Sequence, residues 1–189
     1  DGEVGETERM FYYGHALMND VYHDTARIAS NAIAELTTSG RQGMDKIDDL
    51  FQKSIENMNS FSDFMTGFMR MPREHFGVFR QYLSQYPDGN RNASAAFMGM
   101  PRLNLRLMGT APFYEDFLDE GMRYFPITEQ QDIQQARIDA ERGNYLVAIC
   151  ERLEGDEGTN LAKIVTKLVE PLHQFRLTHF AAVLKYLPP

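Results

Sequence analysis

The chain has 189 residues, 43% hydrophobic and 12% aromatic, which is enough for one domain with a sizeable core. Its 19 Lys and Arg against 27 Asp and Glu give a formal net charge of −8, leaving no broad basic face for a phosphate backbone, so nucleic acid is not an expected partner. The single cysteine, Cys150, excludes an internal disulfide framework and a cysteine-based zinc cluster, and fits a reducing, cytoplasmic compartment.

No apolar run approaches the roughly 20 residues needed to cross a bilayer, and the acidic start DGEVGETE lacks the basic and apolar regions of a signal peptide, so no membrane association is expected. The chain begins with Asp1 rather than Met, and the expectation is one domain over 1–189 lacking N-terminal and C-terminal segments of a longer protein. Apolar residues recur at spacings of three and four, with no alternating β-branched run, which predicts an all-α single-domain helical bundle.

In chain order, a first helix is predicted from about Thr7 to Leu36, ended by TTSGRQG. A second carries the stripe Ile47, Phe51, Ile55, Met58, Phe61, Met65 and Phe68. Pro72 suits the first turn of a third helix, which presents Phe76, Phe79 and Leu83 and runs to about Tyr86. YPDGNRN and GTAP read as loops flanking a short helical piece, irregular around Gly99 and Pro101. Residues 113–124 read as helical up to Pro126. Thr128 and Gln131 have capping-box spacing and open a polar helix, GDEGTN separates that helix from the last one at about 160–187, and Pro171 is placed to kink the last helix. Eleven methionines and thirteen phenylalanines make an adaptable interior, suited to an ordinary helical core or to one shaped around a flat apolar ligand.

His179 lies on the apolar stripe Leu161, Val165, Leu168, Leu172, Phe175, Ala182 and Tyr186, so a buried ring is expected. A buried imidazole needs partners for both nitrogens. One reading is a core histidine bonded to a carbonyl and a water. The other is a metal or haem ligand on an apolar wall. Arg176, one turn earlier, is placed either to reach a haem propionate or to cover the stripe with its stem. Phe11, His15, Met18, Tyr22 and Thr25 share one face of the first helix, with Phe11 and His15 one turn apart. Arg80 follows Phe76 by one turn, and either pairs with a carboxylate such as Glu74 or clamps a substrate carboxylate. Gly14, Gly77 and Gly99 interrupt helical runs, which suits close helix packing or a flat ligand. His23, His75 and His173 have no partner at metal-ligand spacing.

Three segments in order carry a resemblance to a family. RLTHFAAVLKYLP, 176–188, resembles the proximal-ligand helix of the tryptophan and indoleamine 2,3-dioxygenases. FLDEGMRYFP, 117–126, resembles a segment of the indoleamine enzymes, and PREHFGVFRQYLS, 72–84, resembles the helix that supplies their substrate-binding arginine. FYYGH, 11–15, is similar to the Phe-x-x-x-His motif of the tryptophan dioxygenase distal pocket.

The resemblance implies a haem-dependent oxygenase that inserts dioxygen into the indole ring of tryptophan or a derivative. By it, haem b iron is held by His179, with Arg176 also binding the cofactor, and dioxygen is the co-substrate. His15 would hydrogen-bond the indole N–H as the catalytic residue. Phe11, Phe76, Arg80 and Ser94 would bind an aromatic amino acid or indole substrate, Arg80 holding its carboxylate. Ser94, in NASAAF, stands where the tryptophan enzymes carry a Ser-Gly-x-Gln-Ser run, and the glycine- and threonine-rich loop that follows their proximal helix is absent from this sequence. The alternatives are a relative that rearranges a chlorinated tryptophan in pyrrolnitrin synthesis, a haem-dependent aromatic monooxygenase, and a non-enzymatic all-α interaction domain. A homo-oligomer stays open.

Overall fold

A computed structural model describes residues 2–39, 44–83, 99–110, 115, 118–119, 122, 125–153 and 155–186. Its helices are α1 (Glu3–Ser39), α2 (Met44–Met69), α3 (Arg73–Leu83), α4 (Met100–Met108), α5 (Ile127–Glu141), α6 (Leu146–Arg152) and α7 (Gly155–Tyr186). No strand occurs among the described residues, and helices α1 to α4, α6 and α7 share one hydrophobic core, as the periodicity predicts. No helix among them is long and apolar enough to cross a membrane.

The two longest helices follow their apolar stripes. On α1 the buried face passes from Phe11 and Met18 to the small residues Ala26, Ala29 and Ala32, whose short side chains let neighbouring backbones come close. On α2, Ile47, Phe51, Ile55, Met58, Met65 and Phe68 are all buried against α1 and α7. Helix α4 is buried nearly all round and wedges between α1, α5 and α6. Its start is pinned where the Gly99 N–H donates to Asn19 Oδ1 at 2.8 Å. A Cβ on Gly99 would lie 2.8 Å from the backbone nitrogen of His23, so only glycine permits that approach. Arg102 then donates to Asp132 (2.8 Å) and to the His23 carbonyl (3.2 Å), and Arg106 pairs with Asp139, tying α4 to α5.

Several boundaries differ from the expectation. The first helix extends at both ends, to Glu3 and Ser39. The Thr128–Gln131 capping box does not form. Pro126, in an extended conformation, leads directly into Ile127, and Gln130 donates instead to the Phe125 carbonyl. The polar helix is also not continuous, because Gly143 takes a positive φ of 70° and turns the chain between α5 and α6. The Arg142-Gly143-Asn144 triplet carried that signal. GDEGTN forms the first turns of α7 rather than separating it from what precedes, and Pro171 lies inside the helix, where it removes one backbone donor. The YPDGNRN loop and most of the 113–124 segment lie outside the described residues.

The end of α7 locks onto the end of α2. Carbonyls in the last turn of a helix have no intrahelical donor. Here Lys185 Nζ donates to the Met69 carbonyl (2.5 Å) and the Met71 carbonyl (3.3 Å). The Tyr186 hydroxyl sits 2.8 Å from the Phe68 carbonyl and 2.9 Å from that of Met71. The ammonium also stands at the negative end of the α2 dipole.

Tyr186→Phe keeps the ring and removes one hydroxyl hydrogen bond, while the Phe68 carbonyl still accepts from the Met71 N–H and the Met71 carbonyl from Lys185. It is expected to cost about 0.5–1.5 kcal/mol in urea unfolding, with the helical circular dichroism of the native state unchanged. A pH effect arises at the junction of α1, α4 and α5. Burial, reinforced by the Arg102 charge, holds the His23 pKa below its ordinary 6.5, although Glu129 lies 3.9 Å away. Below pH 6.5 the unfolded chain takes up a proton that the folded chain resists, so this contribution is full above pH 6.5 and is lost as pH falls through the lowered value. His23→Gln should therefore flatten the acid-side fall of the thermal midpoint between pH 7.5 and 5.5.

Candidate functional site

The candidate site is formed where α1 and α7 face each other. Both pack against α2, but they make little direct contact with one another. Tyr22 of α1 meets Phe175 of α7 edge-on with ring centroids 6.3 Å apart, and this closes one end of the interface.

His179 stands just beyond that closure. It follows Leu161 by 18 residues, about five helical turns, and so occupies the same angular position on α7. Leu161, Leu168, Leu172, Phe175, Ala182 and Tyr186 along this stripe are buried, yet His179 is exposed. The expectation of a buried ring is thereby corrected. The stripe places the side chain where the pattern predicts, but the described residues leave it exposed. The ring stacks on Phe175, with centroids 5.7 Å apart and planes 17° apart, and its nitrogens have no hydrogen-bond partner among the described residues. One edge reaches solvent, while the surrounding side chains still desolvate the ring enough to lower its pKa. At neutral pH it is an uncharged imidazole with a free lone pair.

His15 approaches from α1. Its Nδ1 lies 2.7 Å from the Phe11 carbonyl, and because a carbonyl only accepts, Nδ1 carries the proton and donates. Burial lowers its pKa, the bond to Phe11 partly opposes that shift, and His179, when protonated, lowers it further. In the neutral ring fixed by this bond, Nε2 is an acceptor. The ring is held against Phe11, centroids 4.0 Å apart, and meets the edge of Phe64 at 6.3 Å. Phe64 lies directly over Gly14: a Cβ there would fall 1.7 Å from its Cε2 atom. Gly14 thus serves close helix packing, and so does Gly99, whereas nothing crowds Gly77.

Behind the histidines is a wall of rings. Phe11 contacts Phe68 (5.6 Å) and Phe76 (6.0 Å), and Tyr186 contacts both Phe68 (5.2 Å) and Phe76 (5.0 Å). Phe11 and Phe76 are buried, so their faces are committed to this cluster. Below it, the Thr7 hydroxyl donates to the Glu3 carbonyl (2.7 Å) and lies 3.1 Å from His75 Nδ1, joining α1 to α3.

Arg176 is the anomaly of the site. Its Nε and one terminal nitrogen, Nη2, are buried with no hydrogen-bond partner. A guanidinium so placed is costly unless an anion meets it. Among the described residues no group of three or more His, Cys, Asp or Glu side chains could enclose a metal ion. Burial raises the Cys150 pKa to about 11, so that thiol is no ready ligand at neutral pH.

Of the sequence-predicted residues, the structure brings Phe11, His15 and Phe76 into one cluster, and leaves His179 and Arg176 one turn apart on α7, His179 stacked on Phe175. Arg80 is on α3, but its side chain lies outside the described part, as does all of Ser94. Sequence reasoning missed Phe64 and the contribution of Tyr186 to the ring wall. Gly14, opposite Phe64 on the neighbouring helix, was the available signal. Comparison of the chain with protein-family models, with curated proteins and with solved structures gave no match.

The packing of Phe64 on Gly14 can be tested directly. Gly14→Ala must displace the ring and is expected to destabilise the fold by about 1–3 kcal/mol in chemical denaturation, whereas Gly77→Ala, at an open helical position, should be neutral or stabilising.

Proposed function

We propose that this chain is the haem-binding core of an oxygenase acting on an indole, with tryptophan or a close derivative as substrate. The carrying observation is the pair on α7: an exposed imidazole in the middle of a buried stripe, and one turn before it a half-buried arginine whose Nε and Nη2 are buried with no hydrogen-bond partner among the described residues. Haem b is a planar apolar group with a metal at its centre and carboxylates on its edge, and the two residues match those two features. When bound, it would supply activation of dioxygen for insertion into the ring.

The remaining roles belong to the side chains. His179 would be the iron ligand and Arg176 the propionate partner. His15, with Nδ1 committed to the Phe11 carbonyl, offers Nε2 to a substrate N–H and so would orient the indole. Phe11 and Phe76 form the hydrophobic backing of that position, Arg80 would hold the amino-acid carboxylate, and Ser94 would add a polar contact. Two anchors, at the ring nitrogen and at the carboxylate, are enough to set the register of a flat substrate.

Hemin titration is the direct test. The protein should acquire a Soret band, His179→Ala should lose it, and Arg176→Leu should weaken hemin binding about tenfold or more, the share expected of one charge-assisted contact. A protein that stays colourless, or an unchanged His179→Ala titration, would leave the non-enzymatic helical domain as the better account. With reduced, oxygenated protein, tryptophan should yield N-formylkynurenine. Binding without that product would point to the rearranging or monooxygenating relatives.

A further inference from the structure

We infer that the cleft between α2 and α7 is a binding site for a small zwitterion with an aliphatic side chain, an α-amino acid of the leucine type. What it binds does not depend on haem. The cleft has a volume of about 310 Å³, at the lower end of small-molecule sites. Its deep part is apolar, with Ile55 and Met58 of α2 and Phe175 of α7 all buried. Phe175 stacks one face on His179 and meets Tyr22 edge-on, so its ring is already engaged. Ile55 and Met58 are left to meet the ligand, which suits a branched aliphatic chain better than a flat ring.

The rim carries two charges of opposite sign. Lys167 and Glu170 are three residues apart on α7, both exposed, and neither side chain makes an ion pair or hydrogen bond among the described residues. A lysine preceding the acid is the less favourable order for an intrahelical pair. These charges discriminate between ligand classes. A cation would meet Lys167 as a like charge, and an anion would meet Glu170 together with a chain whose net charge is −8. An uncharged apolar molecule would desolvate the rim and offer it no partner. A zwitterion gives its carboxylate to Lys167 and its ammonium to Glu170, and brings no net charge into the field. Pro171 adds an acceptor: without an N–H there, the Lys167 carbonyl lacks its regular donor and can accept from the ammonium. The occupant would also bridge the discontinuity in α7, since Lys167 and Glu170 precede Pro171 and Gln174 and Phe175 follow it.

Calorimetric titration of the protein with L-leucine, isoamylamine and 4-methylpentanoate is the test, because the last two share its side chain and keep one charge each. L-Leucine should bind at least about tenfold more tightly than either, the share of one charge-assisted contact. Lys167→Met should abolish the preference over isoamylamine, and Glu170→Gln the preference over 4-methylpentanoate; both residues are exposed, so neither change disturbs the fold. Bound leucine should slow amide exchange on both sides of Pro171. Equal affinity for leucine and either analogue, a leucine affinity unmoved by both substitutions, or no saturable binding at millimolar leucine would overturn the assignment. None of these outcomes bears on hemin uptake.

Discussion

The capping of α2 by the last turn of α7 is the constraint on which the rest of this structure depends. Lys185 supplies a donor to the Met69 carbonyl, and Tyr186 adds a second to the Phe68 carbonyl that the Met71 N–H already meets, both from a helix far away in sequence. Because Tyr186 also packs its ring on Phe68 and Phe76, one side chain sets the α2–α3 corner and the aromatic wall together. Phe11 rests on that wall, and the carbonyl of Phe11 sets the orientation of His15. The chain of contacts runs from a helix cap to the donor atoms of the site.

Two levels of polar accounting distinguish this end of the molecule from the other. Around α4 the charged side chains find opposite charges: Arg102 meets Asp132, and Arg106 meets Asp139. Asn104 is an exception, fully buried with neither amide atom bonded. At α7 the Nε and Nη2 of Arg176 are buried with no hydrogen-bond partner among the described residues, and desolvation lowers the pKa of the neighbouring His179.

Much of the fold was legible because long helices announce themselves through repeated apolar spacing. The stripes of α1, α2 and α7 emerge as buried faces nearly residue for residue. What failed was local. The capping box at Thr128 lost to Pro126, whose restricted φ already sets the entry to the helix, and the turn at Gly143 was hidden within a polar segment that has little apolar periodicity to interrupt. The site was legible in its directions and not in its depth. Periodicity shows which way His179 points, but whether another helix covers it depends on the distance between α1 and α7, which no single helix encodes. Phe64 escaped notice for a similar reason, since its role exists only through Gly14 on another helix.

Pro171 adds a property that static packing does not express. Without an N–H at that position, the backbone ladder of α7 lacks one rung between the half that follows α6 and the half that carries Arg176 and His179. Local opening concentrates where rungs are missing, so amide exchange with solvent should enter α7 from its middle as well as from its ends. The two halves of this long helix are thereby able to loosen separately, and the segment bearing the histidine can breathe without disturbing the packing that precedes it.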